Sequence, residues 1–443
     1  MEQLLRKCMD FALENGASQV RITYNESLMD LVGMLDGEVD KVTHSLDRSL
    51  TLALFADGRY GTFSTNRLDS EESLRRFILD ALDMTRMLVE DPCRKLPPPE
   101  RKVQDATQGD EAGLFDPAYQ AMTEQDRLDL AHRSSLWAWK ASLEKGFTLL
   151  SEEGEYSDSI YRTLILDSEG LYCQHRETSF EIGYEVTVAD AEGNRFSGYW
   201  WDASPRLDDI RSSVLTCSEK AVQRAAAQIG PVRIPGGKMN LVIQSECASK
   251  LLTPLVTALG GYAIQQQNSF LLDSLGKQVF SGKFTVRDLP RSRGEMGAKW
   301  FDSEGVAALD APVIENGIIR RYFINTYIAA KTGLVPTVED RTRLVVQPTG
   351  EGFGEADLLS QMGEGILVTG FNGGNNNTAT GDFSYGIEGF AFAGGEITHP
   401  VREMLMTGNF LTLWQHLEAV ADDARPCMSQ RIPTLAFREV DVR

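Results

Sequence analysis

Residues 370–397, GFNGGNNNTATGDFSYGIEGFAFAGGEI, constrain the fold more tightly than any other stretch of the chain. The run opens on glycines and asparagines, which tolerate positive φ and let another backbone approach. Phe383, Tyr385 and Ile387 then alternate with Ser384 and Gly386, the period of a pleated strand. After Glu388-Gly389 the alternation resumes out of phase at Phe390 and Phe392, which predicts a β-bulge. Gly394-Gly395 then turns the chain into Glu396-Ile397 as a hairpin would. A ribbon of this kind needs neighbouring strands.

The rest of the chain supplies them in blocks. Leu4, Leu5, Cys8, Phe11 and Ala12 mark a first helix stopped by Asn15-Gly16. Strands follow near 19–25, 29–35, 49–56 and 59–64, with turns at Asp36-Gly37 and Asp57-Gly58. Asp69 is a candidate cap for the helix through Leu74, Ile78 and Leu82, so the first ninety or so residues read α-β-β-β-β-α. Residues 94–115, with Pro97-Pro98-Pro99 and many charges, read as a linker or exposed loop. A helix near 123–144 precedes a strand meander with turns at Glu153-Gly154, Glu169-Gly170 and Glu192-Gly193-Asn194, and a helix near 207–228 closes the half. Trp200-Trp201 read as a core or interface anchor.

The segment 230–238, GPVRIPGGK, divides the chain into 1–230 and 231–443. The second half opens with a strand at 239–244 and a helix at 246–266, then short strands with a hairpin tip at Asn316-Gly317. A short helix through Phe410 and Trp414 precedes a last strand at 433–442. Strands grouped apart from helices predict α+β: an N-terminal domain of meandering strands and flanking helices, then an antiparallel β-rich C-terminal domain.

Composition narrows the function. With 44 basic and 64 acidic residues the net charge is −20, which argues against a nucleic-acid backbone as partner. No apolar run reaches the ~20 residues of a membrane span, and MEQLLRKCMDFALENG reads as a helix rather than a leader. The six cysteines form neither a CxxC pair nor a disulfide framework, as expected of a reduced, cytoplasmic protein.

As a sequence, 370–397 resembles the C-terminal signature of the PmbA/TldE branch of the TldD/PmbA family. Residues 260–280, GGYAIQQQNSFLLDSLGKQVF, and 300–327, WFDSEGVAALDAPVIENGIIRRYFINTY, extend the likeness, with an echo at 36–42, DGEVDKV. The resemblance implies a metallopeptidase fold. In the TldD branch a His-Glu-x-x-x-His helix and a later cysteine hold zinc, and the glutamate activates a metal-bound water. The matching place here is 242–252, VIQSECASKLL. Set against the motif, Glu246 keeps the glutamate while Ser245 and Lys250 stand where the histidines would be. No histidine lies between His175 and His399, so no shift of frame restores the motif.

Glu246 is thus a weak catalytic candidate, set against a plain first-turn acid favoured by the helix dipole. Cys427 lies near where the family's cysteine would be sought, but reads as a structural thiol. His44, His132, His175, His399 and His416 make no metal motif, and His175-Arg176-Glu177 reads as a solvated strand face. Acidic pairs such as Glu152-Glu153, Asp208-Asp209 and Asp422-Asp423 read as solvated faces too, and neither a GxSxG elbow nor a phosphate loop is present. Asn375, Asn376, Asn377, Thr378, Thr380, Gly381, Asp382 and Tyr385 are candidates for a peptide- or partner-facing lip, or else for a loop satisfied by its own Asx-turns.

The expectation is a TldE/PmbA-like subunit that binds no metal itself. It would pair with a TldD-like chain carrying the zinc, or form a homodimer in isolation, and act on peptides or unfolded proteins. Two alternatives remain open: a stand-alone metallopeptidase with an atypical site, and a non-enzymatic regulator of the gyrase-modulator type.

Overall fold

The computed structural model describes residues 1–443. Its first half runs α1 (Glu2–Glu14), β1 (Gln19–Leu35), β2 (Glu38–Ala56), β3 (Arg59–Thr65), α2 (Glu71–Arg86), α3 (Glu124–Lys145), β4 (Thr148–Asp167), β5 (Tyr172–Ala189), β6 (Arg195–Ser204) and α4 (Leu207–Ala227). The strands form one antiparallel sheet in the order β3-β2-β1-β4-β5-β6. Asp36 and Gly37 have φ of 49° and 86°, and Asp57 and Gly58 have 52° and 73°. Positive φ at both central residues gives the turn whose twist matches the flanking strands.

Length lets β1 serve two cores. Val20, Ile22 and Tyr24 pack with α1 and α2, while Val32 and Met34, farther along the same face, pack with α3 and α4. Even-numbered residues share that face, so the strand is one uninterrupted ribbon. The two strands expected at 19–25 and 29–35 are therefore a single element, and β2 likewise absorbs 49–56 into a longer strand.

The second half contains β7 (Gly237–Ile243), α5 (Ser245–Ala258), α6 (Gly261–Gln265), β8 (Val286–Asp288), β9 (Ala311–Glu315), β10 (Ile318–Ile319), α7 (Thr326–Thr332), β11 (Leu344–Val346), α8 (Glu355–Met362), β12 (Glu364–Asn376), β13 (Asp382–Ala393), β14 (Glu396–Asn409), α9 (Phe410–Gln415), β15 (Leu417–Val420) and β16 (Leu435–Val442). Its main sheet runs β14-β13-β12-β7-β16-β15. Pairing of Met406 with Val442 and Thr407 with Asp441 joins β14 to β16 and closes a barrel. Every pair is antiparallel except β7 with β12. Leu251, Leu252 and Leu255 of α5 share a core with Tyr385, Ile387, Trp414 and Phe437. The class is α+β, as expected.

The bulge lies where the phase slip put it: the register shifts between Val368 and Gly370 on β12 and between Ile387 and Gly389 on β13. A Cβ on Gly389 would lie 1.9 Å from the Leu367 carbonyl oxygen, so only glycine fits. Other expectations need correction. Ser70, not Asp69, caps α2 by accepting from the Ser73 N–H at 3.1 Å. Glu153-Gly154 is no turn but lies inside β4, where a Cβ on Gly154 would fall 2.2 Å from the Tyr184 ring. The helix expected over 246–266 breaks after Ala258.

Residues 94–115 are not a loose linker. Leu96, Val103, Ala106, Ala112 and Leu114 are buried, and Lys102 pairs with Asp167 at 2.7 Å. This strap covers the sheet face opposite the helices together with Trp300, Phe301 and Ala307 of the second half. His175 lies beneath it, buried, with Nε2 3.0 Å from Glu177 Oε2, so that face is not solvated. Glu152 is fully buried as well, which corrects the reading of its acidic pair.

Candidate functional site

The head of α5 sits where the two halves meet. Ser245 is buried, and its N–H donates to Thr434 Oγ1 at 3.3 Å. Thr434 Oγ1 donates in turn to Asp423 Oδ2 at 2.7 Å. Glu246 follows in the first turn, its Oε2 accepting from Ser245 Oγ at 3.4 Å. The Cys247 thiol is held against the Gln244 and Val368 carbonyls, and burial pushes it up to about 12. One turn later, exposed Lys250 places its ammonium 4.9 Å from the centroid of the Tyr385 ring.

Two adjoining hollows open beside this helix end. One, of about 500 Å³, lies between β6 and α4 of the first half and α5, β12 and β13 of the second. The other, of about 400 Å³, reaches Asp423, Arg425 and Cys427. Trp200, Lys220, Glu246 and Glu355 line both. Glu246 and Cys427, nearly two hundred residues apart in sequence, are thus brought to one cavity, while no histidine lines either hollow.

Trp200 is the floor of this region. The Arg425 guanidinium lies 4.0 Å over its ring, with Lys220 at 4.7 Å and Arg224 at 5.3 Å. Across from them, Glu355 accepts from Gln244 Nε2 at 2.7 Å. Burial raises the Glu355 carboxyl above the usual range, and the negative charges of Glu246 and Asp423 add to this. Sequence reasoning missed Glu355, Lys220, Arg224 and Arg425. Nothing in their spacing marks them, because only the docking of the halves gathers them.

The Gly/Asn stretch lies elsewhere, at the end of the β12–β13 ribbon. Asn375, Asn376, Asn377, Thr380 and Asp382 are exposed, while Gly381 and Tyr385 are buried. Asn377 Oδ1 accepts from the Ala379 and Thr380 N–H groups, and Thr380 Oγ1 donates to Asp382 Oδ2 at 2.7 Å. Asn409 Nδ2 ties the loop to α9 through the Thr380 carbonyl and Asp382 Oδ1. Asn376 Nδ2 donates to the Tyr385 hydroxyl at 2.7 Å, so Tyr385 links this loop to Lys250 on α5.

Comparison with known proteins fixes the family. Residues 20–85, 98–229 and 236–443 match, in turn, domain 1, the central domain and the C-terminal domain of the PmbA/TldA metallopeptidases. The chain belongs to the PmbA/TldD family. A crystal structure from Bacteroides thetaiotaomicron, of a candidate modulator of DNA gyrase, superimposes with a TM-score of 0.93 at 35% identity, covering 100% of this chain and 98% of that one. TldE from Thermococcus kodakarensis shares the fold, with a TM-score of 0.83 at 18% identity over 99% of each chain. Metalloprotease PmbA of Escherichia coli O157:H7 is 28% identical over 391 residues, 87% of this chain and 84% of that protein.

The metal implied by such relatives finds no fitting donors at α5. Ser245 offers a neutral hydroxyl, and Lys250 a cation held over an aromatic ring. No group of three or more His, Cys, Asp or Glu side chains lies close enough to hold an ion. Glu246, Glu355, Asp423 and Cys427 share a cavity without converging on a point.

Proposed function

We propose that this chain is a TldE-like subunit of a TldD/TldE-type metallopeptidase, working in the cytoplasm on peptides or unfolded proteins while a homologous TldD-like partner carries the zinc. The observation behind this reading is the head of α5. It keeps Glu246 but sets a buried serine and an aromatic-stacked lysine where two imidazoles would be needed. A glutamate without a metal-bound water has nothing to activate. The exposed amides from Asn375 to Asn377 are proposed as part of the surface offered to a peptide or to the partner, since extended backbone pairs readily with such an edge. In isolation the same partner-facing surface would support a homodimer.

The test is to mix the purified chain with the TldD-like protein of its own host. Size-exclusion chromatography with light scattering should show a mixed complex, and zinc-dependent peptide cleavage should depend on the partner. Two species eluting independently would count against the proposal. A second reading, a stand-alone metallopeptidase, draws support from Glu246 and Cys427 facing one hollow. Stoichiometric zinc in the lone chain would favour it instead.

A further inference from the structure

We infer that the paired hollows between the two halves bind a short peptide through its free ammonium and carboxylate ends. The ligand class, peptides, comes from the reading above; the pocket chemistry stands on its own. Three cations (Lys220, Arg224, Arg425) line the two adjoining hollows together with six carboxylates, Glu246, Glu355 and Asp423 among them. Elsewhere in the chain buried opposite charges pair directly, as Arg127 does with Asp158 at 2.8 Å and Lys102 with Asp167 at 2.7 Å. In the cavity no cation forms an ion pair with any of the carboxylates.

Several of them are short of partners. Arg224 reaches only neutral acceptors, Gln244 Oε1 and the Thr369 carbonyl, both at 3.4 Å. Arg425 donates through Nη2 to the Trp201 carbonyl, but its buried Nη1 has no acceptor. Glu246 has only the long contact to Ser245. Leaving charges unpaired in a cleft is costly unless a ligand completes them.

The Trp200 ring explains how the cations stay apart from the acids. The ring face holds Arg425 at 4.0 Å and Arg224 at 5.3 Å, and Arg224, with only long contacts to neutral acceptors, keeps N–H groups for a carboxylate. Lys220, exposed and over the same ring, guards the mouth. Glu246 and Glu355, which line both hollows, would take the ligand's ammonium, which supplies the missing donors. Hollows of about 500 and 400 Å³ are in the range that encloses small ligands, and two joined by shared walls suit something longer than one amino acid. Binding forms and breaks no covalent bond.

Calorimetric titration of the purified full-length chain tests this with three probes: trialanine, N-acetyl-trialanine amide and alanine. Zinc is measured on the same sample. Trialanine should bind at least tenfold more tightly than either other probe. Glu246→Gln and Lys220→Met, with thermal melting unchanged, should each weaken trialanine at least tenfold and leave the blocked peptide unaffected. Equal affinity for free and blocked peptide, equal affinity for alanine, no measurable heat with millimolar trialanine, or full affinity in both variants would overturn the inference. Stoichiometric zinc with trialanine binding retained would instead overturn the companion-subunit reading and leave the pocket supported.

Discussion

Glu152 offers a sharp test of the folded first half. Its side chain lies beneath the Asp36-Gly37 turn, with Oε1 accepting from Ser135 Oγ and Oε2 buried without a partner. Asp36 faces the same segment, its Oδ1 accepting the Glu152 N–H at 2.9 Å. Burial pushes the carboxyl from 4.5 up to about 7, and the Asp36 charge adds to the rise against the Ser135 hydrogen bond. The folded chain therefore keeps a proton that the unfolded chain releases above 4.5. Stability contributed by that proton is complete below 4.5 and is lost as pH climbs through about 7. At about 1.36 kcal/mol per pH unit across that window, the ionised carboxylate costs the fold roughly 3 kcal/mol.

Replacing the group with its neutral isostere, Glu152→Gln, should remove the cost. At pH 8 the variant should be more stable by roughly 3 kcal/mol, and at pH 4.5 the two proteins should coincide. With about 2.1 cal/mol/K per residue over 443 residues, a chain melting as one unit would gain about 3 °C in Tm. Differential scanning calorimetry between pH 4.5 and 8 reads this directly. Melting temperatures that run parallel for the two proteins across the range would refute the reasoning, since they would show Glu152 ionised and compensated in the native state.

Further outcomes follow from the same packing. Gly389→Ala should lower stability by at least about 2 kcal/mol, measured by thermal denaturation, because its Cβ would meet the Leu367 carbonyl oxygen at 1.9 Å; an unchanged Tm would contradict the bulge geometry. Tyr385→Phe removes the hydroxyl that accepts from Asn376 and should cost about 1 kcal/mol in chemical denaturation, with no loss meaning the bond is absent in solution. Cys173, Cys217 and Cys247 are all pushed well up by burial, Cys217 and Cys247 to about 12. In a thiol-labelling time course at pH 8 the half-buried Cys93 should react first, the half-buried Cys247 more slowly because its thiol stays protonated, and the buried Cys173 and Cys217 only on unfolding; early labelling of Cys217 would show an opening at the domain junction.

Local signals in the sequence carried much of the fold. Asp36-Gly37 and Asp57-Gly58 are legible because a two-residue turn with both φ positive demands those residue types. The Glu388-Gly389 slip is legible because one extra residue inverts the in-out alternation of everything after it. Gly154 misleads for the opposite reason: its partner is the Tyr184 ring on the next strand, and a glycine cleared for a ring looks like a glycine cleared for a turn. The parallel pairing of β7 with β12 is invisible, since its strands lie more than a hundred residues apart. At the site, Glu246 could be singled out by its place in a motif. Lys220, Glu355 and Arg425 come from three different elements or loops, and only the closing of one half on the other gives them a common cavity.

The central claim, that this chain lacks a zinc site of its own, is tested most directly by metal analysis of the purified protein alongside a peptide-cleavage assay. The account predicts far less than one zinc per chain and no hydrolysis until the TldD-like partner is added. One tightly held zinc per chain, with cleavage by the lone protein lost in Glu246→Gln, would contradict it.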